Sequence, residues 1–186
     1  MCRRPPNRAR RGLSPTVVIL AALLIALFLK SFVLDLAVVD GISMFPTLRP
    51  GQIVLIVRCA YGLRAPLGHG GYFLIWNKPV PGELVAASSP VDGRAVVKRV
   101  AGVGPLRLSL ENERLVGGGF DLELPPTDEA REMRRAEGGL SIGPGDYMIL
   151  GDNPPESLDS RNYGGLPLSA IGGRVIAFGR GGRIGS

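Results

Sequence analysis

Ser43 and Lys98 are the residues of this chain best suited to nucleophilic chemistry. Ser43 lies in Asp40-Gly41-Ile42-Ser43-Met44-Phe45-Pro46-Thr47-Leu48, one hydroxyl between apolar neighbours with turn residues directly after it. Lys98 lies far downstream in Val96-Val97-Lys98-Arg99-Val100. A serine hydroxyl is a weak nucleophile until a neighbouring base takes its proton. An amine does this at neutral pH only when desolvation has lowered its pKa from the reference value of about 10.4. Strand alternation supplies the desolvation: Val96, Lys98 and Val100 share one face, Val97 and Arg99 the other. Lys98 is thereby expected between valines on the core side. Taken alone, such a segment is more commonly an edge strand whose lysine faces water. A third stretch, Gly151-Asp152-Asn153-Pro154-Pro155-Glu156-Ser157-Leu158-Asp159-Ser160-Arg161-Asn162-Tyr163-Gly164, is dense in small polar groups. Asp159 and Arg161, two apart, are spaced to pair and lock a loop. The hydroxyl of Ser157 or Ser160 can aim the lysine. By composition alone the stretch is an ordinary polar turn.

Other chemistries have little to stand on. The one histidine, His69, is flanked by glycines, so a Ser-His-Asp triad hangs on a single loop residue. The two cysteines, Cys2 and Cys59, offer no metal-ligand spacing. Neither a metal nor a cofactor is expected.

The elements that position these residues follow from composition and hydropathy. The chain has 186 residues, 45% apolar, with 27 Gly and 16 Pro and only 6% aromatics, a balance that favours an all-β chain rich in turns. The net charge of +6 is nearly accounted for by Arg3, Arg4, Arg8, Arg10 and Arg11, which argues against a nucleic-acid surface and for charge flanking a membrane segment. Residues 13–34 are apolar apart from Lys30 and a few small polar residues; as helix they span about 33 Å, enough for a hydrocarbon core of about 30 Å. The expectation is an uncleaved anchor with a cytoplasmic N-terminus and everything after it outside, which puts Cys2 and Cys59 on opposite sides of the bilayer. Strands are expected at 53–57, 83–87, 95–100, 147–150 and 174–178, a strand or a loop cover at 72–76, and a hairpin at 106–116 turning at Glu111-Asn112. A helix is expected at 128–137 with Thr127 as its cap, Gly138-Gly139 as its stop and a solvated charged face.

The ordered set of motifs resembles the type I signal peptidases, membrane-anchored serine endopeptidases with a Ser/Lys dyad. The matching residues are Ser43-Met44-Phe45-Pro46-Thr47-Leu48, Pro81-Gly82-Glu83-Leu84-Val85, Lys98-Arg99-Val100-Ala101-Gly102, Gly151-Asp152-Asn153, Ser157-Leu158-Asp159-Ser160-Arg161 and Tyr163-Gly164. The resemblance implies Ser43 as nucleophile, Lys98 as general base, Ser157 as the hydroxyl orienting the lysine, and Asp159, Arg161 and Asp152 as supports. It implies an all-β catalytic domain of twisted antiparallel sheets, partly closed as a barrel, with one N-terminal transmembrane helix. The substrate would be an exported preprotein with small residues before the cut, bound as an extended strand beside Gly41, Ile42, Met44, Val96 and Val97. Shallow pockets lined by residues such as Ile42 and Met44 would set that preference. Gly41 stands where many members carry a hydroxyl donor to the oxyanion, Glu83 where Asp is usual, and Val103-Gly104-Pro105 replaces a Gly-Asp turn. The implied map is a basic cytoplasmic tail at 1–12, an anchor at 13–34 and an extracytoplasmic peptidase domain at 35–186, with a small inserted region at about 104–145. The implied partners are signal peptides and the lipid bilayer of a bacterial inner membrane, with no nucleic acid or metal. The alternatives are a peptidase dedicated to a conjugative pilin or similar single substrate, and an inactive peptide-binding relative.

Overall fold

The computed structural model describes residues 14–28, 30, 33–64 and 71–177. The basic tail, His69 and Phe178 lie outside them. In chain order the elements are α1 (Pro15–Phe28), β1 (Leu34–Val38), β2 (Ile53–Val57), β3 (Gly62–Arg64), β4 (Tyr72–Ile75), β5 (Leu84–Ser88), β6 (Ala95–Val103), β7 (Leu106–Glu111), β8 (Arg114–Gly117), β9 (Phe120–Glu123), α2 (Asp128–Glu137), β10 (Gly139–Ile142), β11 (Tyr147–Leu150), α3 (Ser160–Tyr163) and β12 (Ile171–Ala177). The strands form a six-stranded sheet in the order β1-β2-β12-β5-β6-β11, a four-stranded sheet in the order β10-β7-β8-β9, and the β3-β4 hairpin. The pairings between these strands are antiparallel.

The large sheet carries a cluster on each face. On one side lie Tyr61, Val85, Ala87, Val100, Tyr147, Ile149, Leu166 and Ile171. A second cluster gathers Met44, Leu48, Val54, Ala86 and Val175. Alternation explains the division: along β5, Val85 and Ala87 belong to the first cluster and Ala86 to the second. A third cluster gathers Leu108, Leu115, Leu124, Leu140 and Ile142 from residues 106–142 with Met148 of β11. The hairpin there turns at Asn112 and Glu113, both at positive φ (49° and 63°), one residue later than the sequence spacing implies. Two such residues in succession match the twist of the flanking strands.

Two expectations are corrected. Among the described residues the sheets do not close: β1 and β11 are opposite edges of the six-stranded sheet. The apolar segment 13–34 is not one continuous described helix. α1 has 14 residues, about 21 Å at the helical rise, and among the described residues no helix is long and apolar enough to cross a membrane. Leu34 already belongs to β1, paired with Val57 of β2. Leu34-Asp35-Leu36-Ala37-Val38 alternates, and pairing with β2 together with the Asp35–Arg58 ion pair at 2.5 Å fixes its strand register.

Candidate active site

A turn after β1 holds Ser43. Its neighbours Met44 and Leu48 are buried in the core and pin the turn from below. Phe45 N–H donates to the Ile42 carbonyl (3.0 Å) and Leu48 N–H to the Met44 carbonyl (2.9 Å), which closes the turn and leaves Ser43 partly exposed.

Lys98 lies in β6 and is only 2% exposed. Its face of the strand continues into buried Val100, and Val96 packs against the same cluster. Arg99 points the other way, to Asp152. The amine Nζ donates to Ser157 Oγ at 2.8 Å. Burial holds the Lys98 pKa below the ordinary lysine value; the negative charges of Asp159 and Asp152 act against the shift and the positive charge of Arg161 acts with it.

The loop after β11 supplies the rest. Asp159 is the N-cap of α3 in a capping box with Asn162, an arrangement that its short polar side chain favours. Its carboxylate, fully buried, accepts five hydrogen bonds: from Ser157 Oγ (2.7 Å), Gly151 N (3.0 Å), and Arg161 N, Nε and Nη2 (3.1, 2.9 and 3.0 Å). Ser160 Oγ instead accepts from Ile149 N at 2.9 Å, so the two serines have separate roles. Ser157 has one hydroxyl proton and gives it to Asp159. Toward Lys98 its oxygen can therefore only accept. A neutral Lys98 amine thus donates one N–H to Ser157 and keeps its lone pair for another partner.

Gly151 joins this network to the serine turn. A methyl group there would stand 2.2 Å from Ser157 Oγ and 2.6 Å from the Ser43 carbonyl oxygen. Asn153 N–H donates to that same carbonyl (3.0 Å) and its Nδ2 to the Ile42 carbonyl (3.1 Å). Arg99 grips Asp152 through two bonds of 2.9 and 2.7 Å and also donates to the Gly82 carbonyl (2.9 Å) and Thr47 Oγ1 (3.4 Å). Burial pushes the Asp152 pKa up, but hydrogen bonds from Arg99 and Thr47 outweigh it and hold the carboxylate below its ordinary range. The serine turn, the lysine strand and the polar loop are thus tied at several points. Among the described residues no hydrogen bond joins Ser43 Oγ to Lys98, and contacts of this kind often tighten only when substrate is bound. Gly151→Ala is expected to push Ser157 and the Ser43 backbone apart; a displacement of about 1 Å costs about 10²-fold in rate, read as kcat in a peptide-cleavage assay.

Thr47, Arg99, Gly151 and Asn153 are given no individual role by the sequence; the signal for them is their membership of the motifs at 43–48, 98–102 and 151–153. Gly41 and Ile42 are exposed, and Val96 and Val97 are half-buried. Met44, at 2% exposure, packs in the core cluster directly beneath the serine turn. β6 pairs with β5 from Ala95 to Arg99, whereas β11 reaches it only from Arg99 onward. Residues 95–98 therefore present one backbone edge unpaired among the described residues. A groove of about 480 Å³ bordered by Arg107, Met133, Arg134, Glu137, Tyr163 and Gly165 contains none of Ser43, Lys98 or Ser157. Among the described residues no cluster of His, Cys, Asp and Glu is assembled to hold a metal ion.

Residues 13–178 match the family described as signal peptidase, peptidase S26. A probable signal peptidase I-2 of Synechocystis sp. is 28% identical over 174 residues, covering 92% of this chain and 74% of the relative. Signal peptidase I U of Bacillus subtilis is 26% identical over 180 residues, covering 88% and 87%. A crystal structure of a signal peptidase I from Enterococcus faecalis aligns with 53% of this chain and 97% of its own at 26% identity, with a TM-score of 0.38, too low to bear on the fold.

Proposed function

This chain belongs to the signal peptidase S26 family, and on that footing we propose that it is a serine endopeptidase cutting signal peptides from exported preproteins, with Ser43 as nucleophile and Lys98 as general base. The observation that carries the reading is the buried Lys98 amine. It is held by a hydroxyl that can only accept from it, in a network that also grips the Ser43 turn.

In this reading Ser43 Oγ attacks the scissile carbonyl carbon while its proton passes to Lys98 Nζ. The developing oxyanion accepts a hydrogen bond from the Ser43 backbone N–H, which has no other partner among the described residues. Gly41 supplies no hydroxyl to that site. The Lys98 ammonium then protonates the departing amine, leaving an acyl group on Ser43 Oγ. Lys98, neutral again, takes a proton from water as that water attacks the acyl carbon. The serine is released with its proton restored. Ser157 and Asp159 do not change protonation; they fix the amine's direction.

The open edge of β6 at 95–98 supports the way substrate is held. An extended peptide can add there as a strand, running between β6 and the exposed Gly41 and Ile42. Small residues before the cut suit a passage bordered by Ile42, Val96 and Val97. The bilayer completes the reading. Within α1, Val17, Val18, Ile19, Leu20, Leu23, Leu24, Ile25 and Leu27 are all exposed, and a helix apolar all round calls for apolar surroundings. With five arginines before it in the sequence, the segment suits attachment to a bacterial membrane, which would bring the site to the membrane surface.

The test is to map where the full chain, in detergent micelles, cuts a preprotein. The expected result is one cut after a small residue at the end of the apolar segment, absent with Ser43→Ala. Cleavage by Ser43→Ala at the wild-type rate overturns the assignment.

A further inference from the structure

The charged helix α2 was expected to be a solvated face, yet one of its side chains is buried and directed at the polar loop. Arg134 is 4% exposed. Its Nε donates to the Arg161 carbonyl at 2.9 Å and its Nη2 to the Asn162 carbonyl at 3.0 Å; its Nη1 pairs with Glu137. Those carbonyls belong to α3, a helix of four residues whose C-terminal acceptors have few intrahelical partners. The cation sits where it also complements the negative end of the helix. A second tie lies nearby: Asn162 Nδ2 donates to Thr127 Oγ1, the residue before α2 (3.1 Å), while Asn162 Oδ1 accepts from Asp159 N (3.1 Å). α3 is therefore clamped onto α2 from its C-terminal end, and its N-terminal end is the Asp159 cap that holds Ser157.

We propose that Arg134 is a positioning residue for the catalytic base: by fastening α3 to α2 it holds Asp159, through Asp159 the Ser157 hydroxyl, and through Ser157 the Lys98 amine. The proposal rests on the Ser43/Lys98 reading above. It assigns the inserted region a part in catalysis although α2 touches neither of those residues. Its buried face is short, Ala130 and Arg134 one turn apart, so the arginine dominates what α2 presents to the loop.

A methionine at 134 fills the same space without donors. The three carbonyl and carboxylate acceptors lose their cation, α3 loosens, and water reaches Lys98. The charged groups acting on Lys98 are Asp159, Arg161 and Asp152. With burial relieved, the ammonium is favoured and the base titrates at higher pH.

The experiment is the pH dependence of kcat and of KM for preprotein cleavage by the full chain in detergent. Arg134→Met is expected to lower kcat at neutral pH about 10- to 100-fold, leave KM nearly unchanged, and move the acid limb to higher pH. Arg134→Lys is expected to recover part of both effects. Arg135→Ala, which removes only an exposed pair with Glu113, is expected to match the wild type. A lower yield of folded enzyme with an unshifted pH profile would overturn the proposal by reducing Arg134 to a stability role. If Arg134→Met does not fold, Thr127→Val decides on the same criterion, since Thr127 is exposed and the change removes only the acceptor for Asn162. Ser43→Ala and Lys98→Met run alongside: if either remains active the dyad reading fails, whereas if both are dead and the 134 profile is unshifted only the positioning role fails.

Discussion

Lys98→Met is expected to abolish cleavage, by on the order of 10⁴-fold or more in kcat, in a protein at least as stable as the wild type at neutral pH. The two halves of that result come from the same burial. Methionine matches the length of the lysine stem and suits a site that is 2% exposed, but it has no lone pair able to take the Ser43 proton. Stability moves the other way because an ammonium is costly to bury without a full set of partners, and here one hydrogen bond, to Ser157, faces it. The folded-state pKa of Lys98 lies below the ordinary value near 10.5. Between those two values the unfolded chain binds more protons than the folded one, so wild-type stability rises with pH across that window. Below the folded-state pKa the full penalty is present. The stability gap between Lys98→Met and wild type is therefore widest below the folded-state pKa and narrows as pH climbs from there toward 10.5. Chemical denaturation at several pH values measures it. Wild-type activity has the matching sign: it falls as pH drops through the folded-state pKa and the base is protonated. A rate that stays flat well into acid contradicts a lysine base.

The parts of this molecule that could be read from sequence are those governed by short-range periodicity. Val96-Val97-Lys98-Arg99-Val100 has one alternation, and it places Lys98 and Arg99 on opposite faces with no knowledge of the rest of the chain. Asp92-Gly93 sets the β5-β6 turn, and Gly138, at φ 68°, ends α2. Other features depend on partners far along the chain. Leu34 to Val38 continues an apolar run in sequence, and only pairing with β2 and the Asp35–Arg58 contact make it a strand. Phe120–Glu123 and Gly139–Ile142 are strands because β8 and β7 offer them edges. α3 is too short for a helical period to show, and its stability comes from the Asp159 cap and Arg134. The depth of Met44 was not readable either: it sits next to Ser43 in sequence, and only the folded turn packs it into the core cluster with Leu48 and Val54. Within the site, the Asp159–Arg161 pair was readable because both members lie in one loop. Arg99–Asp152, Asn153–Ser43 and Arg134–Arg161 were not, because each bridges segments that only the folded sheet brings together.

Asp159→Asn tests how much of the site depends on one charge, and its expected cost is a loss of about 3–5 kcal/mol of stability together with most of the activity. The carboxylate accepts five hydrogen bonds through two oxygens. An asparagine of the same shape accepts at one end only and presents an NH₂ at the other, toward donors. If its oxygen faces Arg161, the amide confronts Gly151 N–H and Ser157; if it faces Ser157, it confronts the Arg161 guanidinium. In either orientation Arg161, whose side chain is 3% exposed, loses its counter-charge and part of its bonding to residue 159, keeping the Pro154 carbonyl and whatever the single amide oxygen accepts. An uncompensated buried cation is the main cost. For a chain of this size the loss corresponds to a fall in the unfolding midpoint of about 10 °C. Activity falls for a separate reason: the Ser157 proton no longer has a fixed acceptor, so the hydroxyl can turn and donate toward Lys98, occupying the lone pair that the mechanism needs. The two causes separate in the double variant Asp159→Asn, Arg161→Met. Removing the stranded cation is expected to restore much of the stability while leaving the enzyme inactive, and the coupling between the positions is expected to exceed about 1 kcal/mol in a double-mutant cycle, within the range for residues in direct contact. Equal destabilisation in the single and double variants would show that the charge of Arg161 is screened by something other than Asp159. That outcome would move the centre of the site away from this pair.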